Sequence, residues 1–129
     1  MKIKIDSTDT LFSNYIRLRD GYICQRCGTY YPEGKRGGLH CSHYFGRARE
    51  NTRFDPENCD ALCFGCHQIW GSEDKEGYRE FKIKQLGLNG FNKLQVRSFA
   101  FRKRNLRMFE KKRIRILIKE LNEGENKCR

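Results

Sequence analysis

Apolar positions along this chain fall into short runs whose period changes, and the changes mark the expected elements. Leu11, Phe12, Tyr15, Ile16 and Leu18 sit at helical spacing behind the cap candidates Ser7, Thr8 and Asp9, and Asp20-Gly21 ends that run. The chain then turns through Cys24 to Cys27, and Tyr30 to Gly38, with Pro32 and three glycines, reads as a loop. Leu39 to Phe45 has the look of a strand, with Asn58 to Leu62 returning as its hairpin partner. Between them, Gly46 to Glu57 is polar and closes on Asp55-Pro56, which predicts an exposed cationic connection.

Helices are expected to follow. One begins at Cys63 and runs to Trp70, and Tyr78, Phe81, Ile83 and Leu86 predict a second, stopped by Gly87. Phe91, Leu94 and Phe99 suggest a short third helix after Asn89-Gly90. From Asn105 to Asn122, projection at 3.6 residues per turn places Leu106, Phe109, Ile116, Leu117 and Leu121 on one face. Lys111, Lys112, Arg115 and Lys119 point elsewhere, and Gly124 serves as the stop.

Composition changes this picture in two ways. A chain of 129 residues suits one domain, yet 37% hydrophobic content is low for a well-filled interior, so an additional staple would help hold it together. Lys and Arg number 27 against 16 Asp and Glu, a formal charge of +11, which points to a polyanionic partner, nucleic acid first. The plainer alternative is that the basic side chains solvate helix faces. No segment approaches the roughly 18 apolar residues needed to span a bilayer, and the amino terminus lacks the apolar run of a signal peptide. Seven cysteines are an odd number for a disulfide framework and make better sense as metal ligands in a reducing compartment. The expectation is a cytoplasmic protein with no membrane partner.

The cysteine spacing supplies the staple. Cys24-Gln-Arg-Cys27 is answered by Cys63-Phe-Gly-Cys66, two knuckles whose four thiolates match the needs of a tetrahedral structural Zn2+. Cys41, Cys59 and Cys128 are left over, as small apolar filler or, for Cys128, an idle thiol. All three histidines, His40, His43 and His67, lie inside or beside the stapled stretch. An isolated histidine is usually a satisfied polar side chain, but three gathered by one metal shift that balance toward chemistry.

The segments Leu39-His-Cys-Ser-His43, Arg53-Phe-Asp-Pro-Glu-Asn58 and Cys63-Phe-Gly-Cys-His67 resemble the HNH nucleases of the His-Me finger group. They are similar to phage-associated members such as the NinG-type recombination nucleases over roughly Arg19 to Trp70. The resemblance implies an α+β fold, a small ββα-metal core stapled by a four-cysteine zinc site, with flanking α-helices. The single domain 1–129 would divide into an N-terminal helix (1–18), the core (19–71) and a helical basic extension (72–129). It further implies that His43 is the general base, that Asn58 holds the loop and orients His43, and that His67 ligates a catalytic Mg2+ or Mn2+. Many members place an aspartate or histidine ligand just before the base, where this chain has Ser42. His40, on the same side of the strand, is then a second candidate ligand beside Ser42.

Arg47, Arg49 and Arg53 in the connecting loop are the first candidates for phosphate contacts, and Arg102, Lys103, Arg104 and Arg107 form a second basic cluster. The expectation is therefore a metal-dependent HNH endonuclease acting on DNA, in phage recombination or DNA processing within a bacterial host, with a homodimer as one way of cutting two strands. The alternative from another class is a noncatalytic zinc-finger DNA-binding module in which the histidines are structural. A third is an adaptor that dimerises through its tail helix.

Overall fold

The computed structural model describes residues 3–33, 38–101 and 106–127, with the side chains of 125–127 left out. Helix α1 spans Ser7–Arg19, strand β1 His40–His43, strand β2 Cys59–Leu62, helix α2 Phe64–Gln68, helix α3 Lys75–Phe99 and helix α4 Arg107–Lys127. Two 3-10 turns, Glu50–Thr52 and Pro56–Asn58, lie in the long hairpin connection, and a π-helical turn, Ile69–Glu73, joins α2 to the approach of α3.

The start of α1 differs from expectation. Asp6, not Ser7, Thr8 or Asp9, is the N-cap: its carboxylate accepts from the Thr8 and Asp9 amides at 2.8 and 3.2 Å. Asp9 returns the bond to the Asp6 amide at 2.9 Å, closing a capping box. The helix ends where expected, at Asp20, with Gly21 and Tyr22 at φ of 65° and 58° reversing the chain into the first knuckle.

β1 and β2 pair antiparallel, with His40 opposite Leu62, Cys41 opposite Ala61, Ser42 opposite Asp60 and His43 opposite Cys59. Both strands are shorter than the sequence pattern suggests, because the Tyr44 and Phe45 amides leave the ladder register to bond the Asn58 carbonyl and its side chain. α2 likewise stops at Gln68, and the π turn carries the remainder of the predicted helix. Gly87, at φ 76° and ψ 159°, breaks α3 into two helical stretches.

The hairpin lies against α1, and Phe12 and Ile16 of that helix join Leu62, Ala61, Phe54, Trp70, Tyr78 and Ile114 in one core. Trp70 stacks on Tyr78 with centroids 4.8 Å apart, and Phe54 meets Phe12 edge-on at 5.9 Å. α4 packs on α1, but its buried stripe is Ile114, Leu117, Ile118 and Leu121, spaced i, i+3, i+4 and i+7. Leu106, Phe109 and Ile116, expected on that stripe, are exposed. Gly124 does not stop α4, which continues to Lys127.

Candidate functional site

The four knuckle sulfurs converge as the spacing predicts. Cys24 and Cys27 sit in the turn after α1, Cys63 occupies the N-cap position of α2, and Cys66 lies within that helix. All four Sγ atoms fall within 4.8 Å of one another, and the Cys27–Cys63 pair is 3.9 Å apart. That is far beyond a disulfide, and close to the edge of about 3.8 Å that a tetrahedron with zinc–sulfur bonds near 2.3 Å would have. The surroundings suit thiolates. Arg26 Nη1 donates to Cys66 Sγ at 3.5 Å, the Cys63 amide donates to Cys24 Sγ at 3.4 Å, and hydrogen bonding with Thr29 brings the Cys27 thiol down to about 6. Burial and the three neighbouring sulfurs, against the pull of Arg26, push Cys66 up to about 12. Four thiols so crowded ionise together only around a cation, so the donor set fits a structural zinc.

The knuckle is also bolted to the hairpin directly. The Gln25 amide donates to the Ala61 carbonyl at 2.9 Å, and the Ala61 amide donates to Asp20 at 2.8 Å. Arg19 reaches the Pro56 and Cys59 carbonyls at 2.7 Å each.

At the end of β1, His43 Nε2 lies 2.8 Å from the carbonyl oxygen of Arg53, in the hairpin connection. A carbonyl only accepts, so Nε2 carries the proton and Nδ1 the lone pair. Nδ1 is buried and has no hydrogen-bond partner among the described residues. Burial, reinforced by the Arg47 guanidinium and opposed by the Arg53 and Cys41 carbonyls, holds His43 down to about 4, so the ring is neutral near pH 7.

Asn58 is fully buried and uses its whole amide on the connection. Its Nδ2 donates to the Phe45 and Thr52 carbonyls at 2.8 and 3.0 Å, and its Oδ1 accepts from the Phe45 amide at 2.8 Å. The loop that presents the Arg53 carbonyl is thus clamped from within.

Arg53 itself corrects an expectation. It is 5% exposed, with Nε and Nη2 on the two Asp9 oxygens at 2.9 and 2.6 Å, Nη1 on Glu50 at 3.3 Å, and Nη2 also on the Lys4 carbonyl. A guanidinium so occupied anchors the carbonyl that orients His43 and is not free for phosphate. Arg47 is half-buried, with Nε 3.7 Å from Asp9, whereas Arg49 is exposed and lies over the Phe99 ring at 4.0 Å. Arg107 bonds Asp6 at 2.8 Å and Glu50 at 3.0 Å and covers the Phe54 ring, so it ties α4 to the loop. Arg102, Lys103, Arg104 and Cys128 lie outside the described residues.

On the other face of β1, His40 and His67 stack with centroids 5.5 Å apart and planes 7° from parallel. His67 Nδ1 is buried and unpartnered among the described residues, and burial and the neighbouring His40 lower its basicity. Strand alternation puts His43 on the opposite face, roughly 10 Å along β1 from His40. Ser42 is 2% exposed, and its hydroxyl accepts from Tyr78 Oη at 3.1 Å, so it points into a packed interior. Sequence reasoning missed the group that holds it there. Asp60, paired across the strands with Ser42, takes Tyr78 Oη, Lys82 Nζ and Gln85 Nε2 at 3.3, 3.0 and 3.0 Å. A lysine buried at 0% on an otherwise amphipathic helix carries no signal in the sequence that separates it from its exposed neighbours.

Fold and site together define a small α+β protein whose β-hairpin is tied to flanking helices by a paired-knuckle cysteine centre. The chain matches the family model described as Bacteriophage Lambda NinG protein over residues 2–125, and it belongs to that family. The match takes in α1, α3 and α4 as well as the hairpin, well beyond the Arg19 to Trp70 stretch that carries the HNH resemblance. No curated protein and no solved structure matches the chain. No described helix is long and apolar enough to cross a membrane.

Proposed function

We propose that this NinG-family chain is an HNH endonuclease that hydrolyses DNA phosphodiester bonds with the aid of a divalent cation, in phage recombination or DNA processing. The observation that carries the reading is His43: a neutral imidazole with one nitrogen tied to the Arg53 carbonyl and the other buried without a partner among the described residues. A buried lone pair left unsatisfied is costly, and a general base is a reason to keep it so.

In this reading His43 Nδ1 takes a proton from the attacking water, while Nε2–H on the Arg53 carbonyl keeps the ring from turning. Asn58 and the Arg53–Asp9 pair are positioning groups that hold the carbonyl in place. The resemblance makes His67, with His40 beside it, the holder of Mg2+ or Mn2+, which would supply Lewis-acid stabilisation of the leaving 3′ oxygen, but these two rings lie on the other face of β1 from His43 and the hairpin does not bring them beside the base. Of the three candidate ligands, Ser42 is the least suited, because Tyr78 and Asp60 already engage its surroundings. Arg49 is the exposed member of the loop arginines and the first candidate for phosphate contact.

The test is nicking of supercoiled plasmid in Mg2+ or Mn2+. The wild type is expected to nick, and His43→Ala to lose about 10²- to 10⁴-fold in rate with its knuckle zinc retained. Absence of nicking with either ion, alongside salt-sensitive DNA binding, would instead establish the noncatalytic zinc module.

A further inference from the structure

A second cluster of soft ligands lies on the α1 side of the hairpin. Strand alternation puts Cys41 and His43 on one face of β1, and the hairpin register sets Cys59 opposite His43. The ligand atoms of the three residues all fall within 4.8 Å of one another. Both cysteines are free thiols, buried at 7% and 0% exposure, and His43 Nδ1 is buried with nothing bonded to it among the described residues. Two sulfurs and one imidazole nitrogen are a zinc donor set with the fourth position open.

We propose that Cys41, His43 and Cys59 form a second zinc site, distinct from the knuckles, and that zinc bound there silences the proposed base. Thiolates are soft ligands, whereas Mg2+ and Mn2+ prefer oxygen, so the activating ion does not compete for this position. Charge favours the occupant too. Zn2+ with two thiolates is neutral overall, which suits a buried site better than a cation without thiolates would. Binding is redox-neutral: two zinc–sulfur bonds form, the two thiol protons pass to solvent, and the imidazole lone pair is donated to the metal. With that pair engaged, His43 has nothing to offer a water molecule. The inhibition rests on the nuclease reading, but the site does not, so the two can fail separately.

The experiment uses the full chain, equilibrated with free zinc and then analysed for bound metal, beside plasmid nicking in Mg2+ with and without added zinc. Wild type is expected to hold two zinc ions, and Cys41→Ala, Cys59→Ala and His43→Ala one each. Added zinc is expected to slow wild-type nicking by about a hundredfold or more, the scale of a lost general base, while Cys41→Ala stays within about twofold of its own zinc-free rate. A single zinc in the wild type, or a second one that survives both cysteine changes, overturns the site. Two zinc ions with undiminished wild-type nicking, or equal inhibition of the cysteine variants, overturns the switch. If Cys59→Ala fails to fold, Cys41→Ala and the wild-type count decide. A protein that nicks nothing refutes the nuclease reading, while the metal count still judges the site.

Discussion

The two faces of the β-hairpin bury polar groups in opposite ways. Toward α3, Ser42, Asp60, Tyr78, Lys82 and Gln85 form a closed network in which each carboxylate oxygen of Asp60 has a donor and Lys82 has two acceptors. Toward α1, His43 keeps a buried nitrogen with no partner among the described residues, and its ring lies beside two buried thiols. A satisfied network rigidifies the scaffold, whereas an unsatisfied atom persists only where the surrounding structure over-determines it. The contrast sets a satisfied face beside an unsatisfied one, only one residue apart along the same strand.

The comparison can be broken most severely at the four knuckle cysteines, whose donor set fits a structural zinc. Chelation of the knuckle zinc, or Cys24→Ser, is expected to abolish cooperative folding, since structural zinc contributes on the order of 10 kcal/mol or more; thermal melts by circular dichroism would show it. A melt unchanged by chelation would mean that the core stands without the staple.

Lys82→Met comes next. It leaves Asp60 in a fully buried site with only Arg19 Nη2, 4.0 Å away, as counterion, and a loss of about 3 kcal/mol in urea unfolding is expected. Asp60→Leu added to Lys82→Met should recover much of that loss, because replacing both partners removes the stranded charge. Nicking per folded molecule should stay near the wild-type rate if that face is purely scaffold.

Asn58→Ala sharpens the contrast from the other side. It deprives the Phe45 amide and the Phe45 and Thr52 carbonyls of partners, at about 2–4 kcal/mol in total. Here, however, nicking should fall by more than the loss of folded protein explains, since the Arg53 carbonyl loses its support. Equal losses in the two measurements would reduce Asn58 to a structural role.

The smallest effect belongs to the α1 cap. Burial acts against ionisation of Asp6, but the Arg107 hydrogen bond and the Asp9 and Thr8 amides outweigh it and bring the carboxyl down to about 2. A folded-state value below the unfolded 3.8 means stability that is present above about pH 4 and lost as pH falls toward 2. With Asp6 a third exposed, solvent screening leaves about 1 kcal/mol, which Arg107→Ala should remove from the acid limb of a melting-temperature profile.

Much of the local structure is legible in the residues. The Cys-x-x-Cys spacing announces the metal centre because two-residue spacers are a local geometric requirement, met or missed within one turn of chain. The Gly87 break and the end of α1 at Asp20-Gly21 are equally local, set by which residue tolerates a positive φ. Amphipathic projection misplaces the α4 stripe because it counts every apolar residue. Only contact with α1 shows that Ile114 and Ile118 are inside and Phe109 and Ile116 outside. Arg53 escapes sequence reading for a related reason: a loop arginine looks solvent-facing until Asp9, 44 positions away, is found to hold it.

By itself, then, the sequence determined the thiol count and spacing, the positive charge, the order of elements and the position of the three imidazoles. Tertiary structure alone decided which arginines are spent on internal carboxylates, which face of β1 is closed by Lys82 and Asp60, and that Cys41 and Cys59 flank His43. The division follows from range. Propensity, capping and knuckle spacing act within a few residues of the chain, while burial and charge pairing depend on partners that only folding brings near.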